Sequence, residues 1–175
     1  QVIDDYGRKN GETMLSLAAR VMEEQYEIHG LTYADLNEMA AQLHLRAARN
    51  PNARFFGKYS TPKEIWAVLN DPNKNRVTAG KNYKLFHSTS TDDGAAAMVV
   101  TNHETGIKII GIGQGNAPMR LEERDGFYGF EATYDAAIRA FNMANLRPTD
   151  LFRKGIVEAH DAFLPYVFPQ LVAMG

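Results

Sequence analysis

The spacing of apolar residues changes character near residue 90, and this limits the chain to a fold that combines helices with strands. Before that point the spacing is helical. Met14, Leu17, Ala18, Val21 and Ile28 fall on one helical face, and Gly30 stops the helix. Thr32 reads as the cap of the next helix, with Asp35 at the capping-box position and Leu31 and Leu36 at the staple positions. Leu36, Met39, Ala40, Leu43 and Ala47 continue its stripe as far as Asn50-Pro51. Thr61-Pro62-Lys63-Glu64 signals a third, short helix with Ile65, Val68 and Leu69 inward. The stretch 70–93 reads as loop, with one short strand around Tyr83 to Phe86.

After residue 90 the apolar runs become short, β-prone and bounded by glycine. Ala95–Thr101 and Ile107–Ile112 are read as strands. Glu131–Leu146 is an amphipathic helix with Tyr134, Ala137, Ile138, Phe141 and Ala144 inward. Gly155–Ala159 is a further strand, and a last helix starts near Asp161. Strand, helix, strand, helix implies a parallel pair with a right-handed crossover.

Composition narrows the function classes. With 175 residues, 45% hydrophobic and 23% charged, the chain is one domain or two small ones with a real core. A net charge of -2, with scattered basic residues, provides no field for nucleic acid or acidic membranes. Zero cysteines excludes disulfides, thiolate metal sites and a thiol nucleophile within these residues. No run approaches the roughly 20 apolar residues of a membrane span, and no signal peptide opens the chain, so a cytoplasmic location is expected. A start at Gln1 without Met reads as a piece of something longer.

One position stands out for chemistry. His160-Asp161 sits between Gly155–Ala159 and a second apolar run, Leu164 to Met174. A polar pair at such a junction is costly unless hydrogen-bonded or used. Sites in open α/β sheets form at the carboxyl ends of strands. His160 is therefore either a site residue or a histidine at a helix start whose ring is satisfied by backbone. Asp161 reads as the N-cap of that helix rather than as a catalytic acid.

Several motifs, in order, resemble the thiolase superfamily. Thr91-Asp92-Asp93-Gly94-Ala95-Ala96-Ala97-Met98-Val99-Val100 resembles its Asp-Gly-Ala-Ala-Ala strand. Ala132-Thr133-Tyr134-Asp135-Ala136-Ala137 through Asn145-Leu146-Arg147-Pro148-Thr149-Asp150-Leu151 is similar to its helix and exit turn. Val157-Glu158-Ala159-His160-Asp161-Ala162-Phe163 stands where most thiolases carry Asn-Glu-Ala-Phe, and the His-Asp form is similar to the sterol-carrier-protein type. Residues 11–60, including Arg46-Ala47-Ala48-Arg49-Asn50-Pro51, resemble the family's loop domain.

The resemblance implies an α/β chain with a partial thiolase-like fold. A helical loop domain (1–92) would contact coenzyme A. Residues 93–175 would supply the last strand of the first thiolase half and the opening parallel βαβα unit of the second. The family's nucleophilic Cys would lie before Gln1, and its Gly-His-Pro base and second Cys after Gly175. The implied reaction is acyl transfer on acyl-CoA or 3-oxoacyl-CoA thioesters in lipid metabolism, with coenzyme A or acyl-CoA as substrate and no resident cofactor. His160 would be the oxyanion-hole donor, and this chain alone would be inactive. Ser90 best matches a pantetheine-contacting serine; the alternative is a solvated loop. Arg46, Arg49, Arg54 and Lys58 would meet the phosphates of coenzyme A, or form a solvated face. The partner would be the remainder of the thiolase or a second thiolase-like subunit, as a dimer. The alternative function is a non-catalytic subunit that binds acyl-CoA or scaffolds a partner enzyme.

Other motifs carry less. Gly111-Ile112-Gly113-Gln114-Gly115 lacks the third glycine of a dinucleotide loop, because Asn116 stands there; close packing or a turn accounts for it. His87, Asp92 and Asp93 have no third and fourth ligands at a known spacing, so no metal site is expected. Pro165 fits a first helical turn, whereas Pro169 should kink the last helix by Phe168. The connection around His103-Glu104-Thr105-Gly106 is shorter than the helical one usual in thiolases.

Overall fold

The computed structural model describes residues 11–118, 123–124 and 130–175. Residues 1–10 of the expected loop domain lie outside the described residues. The described part is mainly helical with one two-stranded sheet, compatible with a partial α/β fold. It divides into two compact units. The first comprises the described residues 11–89, 118, 123–124 and 160–169; the second comprises 90–117, 130–159 and 170–175.

The first unit is built from helices whose starts are fixed locally. α1 (Met14–His29) opens on a reciprocal capping box between Thr13 and Ser16. α2 (Tyr33–Ala47) opens on one between Thr32 and Asp35, and α3 (Pro62–Leu69) on one between Thr61 and Glu64 with Pro62 in the first turn. Each box satisfies donors that a helix start leaves open. α1 ends at Gly30, whose φ of 70° is left-handed and easily reached only without a Cβ. Met22, Leu36, Ala40, Ala41, Ile65, Leu69 and Leu164 form one buried cluster. Ala18, Ala19 and Tyr83 form a second, flanked by Phe163 and Tyr166. Ile28, expected inward, is 49% exposed, because the last turn of α1 extends past the core.

β1 (Val77–Ala79) and β2 (Tyr83–Lys84) form a short antiparallel hairpin. Its turn lies so close to α1 that a Cβ on Gly80 would stand 2.9 Å from that of Ala19. β2 passes directly into a 3₁₀ turn, Leu85–His87. The strand expected around Tyr83 to Phe86 is thus half strand and half turn.

In the second unit, α4 (Glu131–Ala144) ends on Asn145 in the left-handed region, and α5 (Pro148–Lys154) follows at once. Of the expected inward face of α4, Ala137, Phe141 and Ala144 are half-buried, whereas Tyr134 is 54% and Ile138 39% exposed. Ala132, Ala136 and Ala140 are half-buried as well. Extended against them runs Gly111-Ile112-Gly113-Gln114-Gly115. A Cβ on Gly111, Gly113 or Gly115 would collide with the carbonyl oxygen of Ala140, Ala136 or Ala132 respectively. Two residues of extended chain rise about 6.6 Å and four residues of helix about 6 Å, so each alternate glycine meets one helical turn. Close packing therefore explains these glycines.

The strands expected at 95–101, 107–112 and 155–159 are not formed: among the described residues no ladder joins them. Val99 is 93%, Ile107 88% and Ile156 84% exposed. Their β-branched side chains favour a strand, but a strand also requires a neighbouring chain to take its backbone groups.

The C-terminal stretch also differs from expectation. A 3₁₀ turn, Leu164–Tyr166, begins behind Phe163 with no side-chain cap, so Asp161 is not the cap of that helix. α6 (Val167–Ala173) then starts afresh. Pro165 lies in the 3₁₀ turn as expected, and Pro169 falls in the first turn of α6, where its missing N–H costs no helical bond. The expected kink is replaced by a break ahead of Val167.

Candidate functional site

His160 is exposed, and the segment that bears it is held a short distance along the chain. The Thr89 N–H donates to the Ala162 carbonyl at 2.9 Å, and Ser88 pairs with Phe163 in an isolated antiparallel bridge. The turn 83–89 thus forms the seat of the stretch just after His160.

That turn is wired into the core by polar groups. Tyr83 is fully buried; its hydroxyl donates to the His87 carbonyl at 2.8 Å and lies 2.8 Å from the Ser88 hydroxyl. The His87 ring is also fully buried. Its Nδ1 accepts the Lys84 N–H at 3.0 Å, which leaves the proton on Nε2, 2.9 Å from Asn37 Oδ1 on α2. Buried Asn75 donates to the Leu69 carbonyl at the end of α3 and accepts the Phe86 N–H, both at 3.0 Å. Burial, and next the charge of Lys84, push His87 down to about 4. Burial raises the Tyr83 phenol and likewise that of Tyr166. Both stay protonated at any ordinary pH, so Tyr83 acts as a donor.

The basic residues Arg46, Arg49, Arg54 and Lys58 are all exposed. Arg46 is in the last turn of α2; the other three stand on the turn that follows, which the Gly57 N–H closes by donating to the Ala48 carbonyl at 3.0 Å. Beneath that turn lies a ring cluster that the sequence reading missed. His44 lies 4.8 Å from Phe55, 5.0 Å from Phe86 and 5.6 Å from Tyr59, centroid to centroid. The interleaving of Phe55, Phe56 and Tyr59 with Arg54 and Lys58 was the available signal. Tyr59 holds a φ of 53°, a costly conformation for a ring-bearing residue, kept by its packing on His44 and Phe86. Lys58 Nζ lies 6.0 Å from the Phe55 ring centre. Burial lowers the His44 pKa.

Ser90 is half-buried and opens the second unit. Asp92 and Asp93 are exposed beside it in the chain, and no metal-ligating cluster occurs among the described residues. No helix among these residues is long and apolar enough to cross a membrane.

No family model matches the chain. It is similar to the acetyl-CoA acetyltransferase of Methanocaldococcus jannaschii, at 26% identity over 162 residues, covering 87% of this chain and 38% of that protein. It is similar also to the acetyl-CoA acetyltransferase of Methanothermobacter thermautotrophicus, at 25% identity over 166 residues, covering 91% and 40%. The chain therefore spans about two fifths of the length of these curated relatives. The two distant similarities, each along most of the chain, support a place in the thiolase superfamily.

Proposed function

We propose that this chain is part of a thiolase-like acyltransferase of the sterol-carrier-protein-like type, acting on acyl-CoA or 3-oxoacyl-CoA thioesters. The observation that carries the reading is similarity to two acetyl-CoA acetyltransferases along 87% and 91% of the chain. The motif order of the sequence and an exposed His160 add to it. In this reading a ring N–H of His160 donates to the thioester oxygen as negative charge builds there. A single donor of this kind is worth about 2.7–4 kcal/mol of transition-state stabilisation. Arg46, Arg49, Arg54 and Lys58 meet the coenzyme A phosphates, and Ser90 meets the pantetheine. The nucleophilic thiol comes from elsewhere, since these 175 residues contain no cysteine. The parallel βαβα unit is completed when further strands pair with 95–101, 107–112 and 155–159. The complete enzyme is cytoplasmic, works in lipid metabolism and pairs as a dimer or with a second thiolase-like subunit.

The absence of a thiol also favours a second reading, a non-catalytic subunit that binds acyl-CoA or scaffolds a partner enzyme. Two measurements separate these. Titration calorimetry with coenzyme A should show binding that weakens when Arg46, Arg49, Arg54 and Lys58 are replaced together by Ala. Acetoacetyl-CoA thiolysis should be absent from the chain alone. Joined to thiolase segments that supply the missing Cys and the Gly-His-Pro base, the chain should give turnover that His160→Ala lowers by roughly 100-fold or more. Turnover indifferent to His160 would leave the binding role and remove the catalytic one.

A further inference from the structure

We propose that Tyr83 is a positioning residue for His160: its buried hydroxyl fixes the Ser88–Thr89 pair on which Ala162 and Phe163 are hydrogen-bonded. This rests on the reading of His160 as an oxyanion donor. An oxyanion donor stabilises charge only when its N–H is held at one place, because a donor that must reorient gives up the advantage. His160 is exposed, and its own surroundings do not enclose it. The chain just beyond it is hydrogen-bonded to the turn 83–89, so how firmly that turn is fixed bears on where the ring stands.

The path from the core to that chain is short and made of hydrogen bonds. The Tyr83 hydroxyl donates to the His87 carbonyl and meets the Ser88 hydroxyl, both at 2.8 Å. The next residue, Thr89, donates to the Ala162 carbonyl at 2.9 Å, two positions beyond His160. The Tyr83 ring is fully buried against Ala18 and Ala19 and meets His87 edge-to-face. His87 is tied to Asn37 and Phe86 to Asn75, so the turn cannot slide as a unit without breaking buried bonds. A core that needed only to be filled would place an apolar side chain at 83. The hydroxyl must be satisfied when buried, and it is satisfied by His87 and Ser88, within the turn that seats the stretch after His160.

The test uses the 175-residue chain and two readouts at the seat. One is amide hydrogen exchange at Thr89. The other is the His160 ring resonance, assigned by its loss in His160→Gln. Tyr83→Phe keeps the ring and removes only the hydroxyl. It should speed Thr89 exchange by roughly tenfold, the worth of one net hydrogen bond, and shift or broaden the His160 resonance. Ser88→Ala, which keeps the core intact, should do the same to a smaller degree, and Ser88→Thr should restore protection. Ile65→Val, a core change away from the network, should lower the urea midpoint and leave both readouts in place. If Tyr83→Phe and Ser88→Ala change neither readout, or Ile65→Val changes both equally, the proposal is overturned. Failure of the oxyanion reading shows separately, as a His160→Ala enzyme with undiminished turnover and a Thr89 amide still sensitive to Tyr83.

Discussion

His87 Nε2 donates to Asn37 Oδ1 across 2.9 Å, so one buried imidazole joins residues fifty positions apart. Its other nitrogen accepts from the Lys84 backbone, and a second ring proton would turn that acceptor into a donor facing a donor. Burial, and next the charge of Lys84, hold the folded ring's pKa down to about 4, against an ordinary value of 6.5. Above pH 6.5 the ring is neutral in both states and the stability is complete. As pH falls below 6.5 the unfolded chain takes the proton first. Stability should then decline until the folded ring titrates near pH 4, by at most about 3 kcal/mol. Urea unfolding at several pH values should show this slope, and His87→Gln should reduce it, leaving the share of His44, whose pKa burial also lowers.

The glycine ladder of the second unit predicts a sharp contrast between substitutions. Gly113→Ala would place a Cβ against the Ala136 carbonyl, with the Ala136 carbonyl carbon at 2.8 Å and the Ala140 nitrogen at 2.9 Å. Backbone cannot move aside as a side chain does, so the cost should reach about 2 kcal/mol or more. Protease resistance of 130–144 should fall accordingly. Gly94→Ala meets nothing within 4 Å and should leave resistance unchanged.

Gln25 is 1% exposed, and both polar atoms of its carboxamide are buried without a partner among the described residues. Replacing it with Met keeps the length of the side chain and removes the desolvation penalty. The variant should be neutral or more stable by about 1–2 kcal/mol, seen as a raised melting temperature. A clear loss would show that the amide has work in the core.

Thr61 caps α3 through its hydroxyl, while the Glu64 carboxylate takes both the Ser60 and Thr61 N–H groups. Thr61→Ala should cost about 1 kcal/mol, within the usual range for a cap. Thermal unfolding followed by circular dichroism checks this.

How much of this was legible follows from the range of the interactions. The starts of α2 and α3 were readable because a capping box is written within four residues. α5 carried a similar signal, Pro148 at its first position and Asp150 reaching back to the Arg147 N–H at 3.0 Å, and was read only as a turn. On α4, Ala137, Phe141 and Ala144 are half-buried as expected, but the large side chains Tyr134 and Ile138 are exposed. The glycine ladder selects alanines, because backbone-to-backbone approach favours the smallest side chain rather than the most apolar. The strands at 95–101 and 107–112 were inferred from side chains alone, and a ladder also needs a partner. His160 is exposed, and the strand 155–159 at whose end it was expected is not formed. The Tyr83, His87 and Asn37 network was not readable, because nothing in the order of residues announces that position 37 meets position 87.

The runs 95–101 and 107–112 also bear on how the chain behaves in a crowded solution. Each combines β-branched or apolar side chains with a backbone that no ladder occupies, the pattern that templates stacking of identical molecules. What stands against this is a sparse set of charges: Asp92 and Asp93 before the first run, and Glu104 with Lys108, 3.0 Å apart, around the start of the second. Salt that screens these charges removes the main obstacle to self-assembly. The colloidal lifetime of the isolated chain should thus shorten as ionic strength rises, even where every helix keeps its caps.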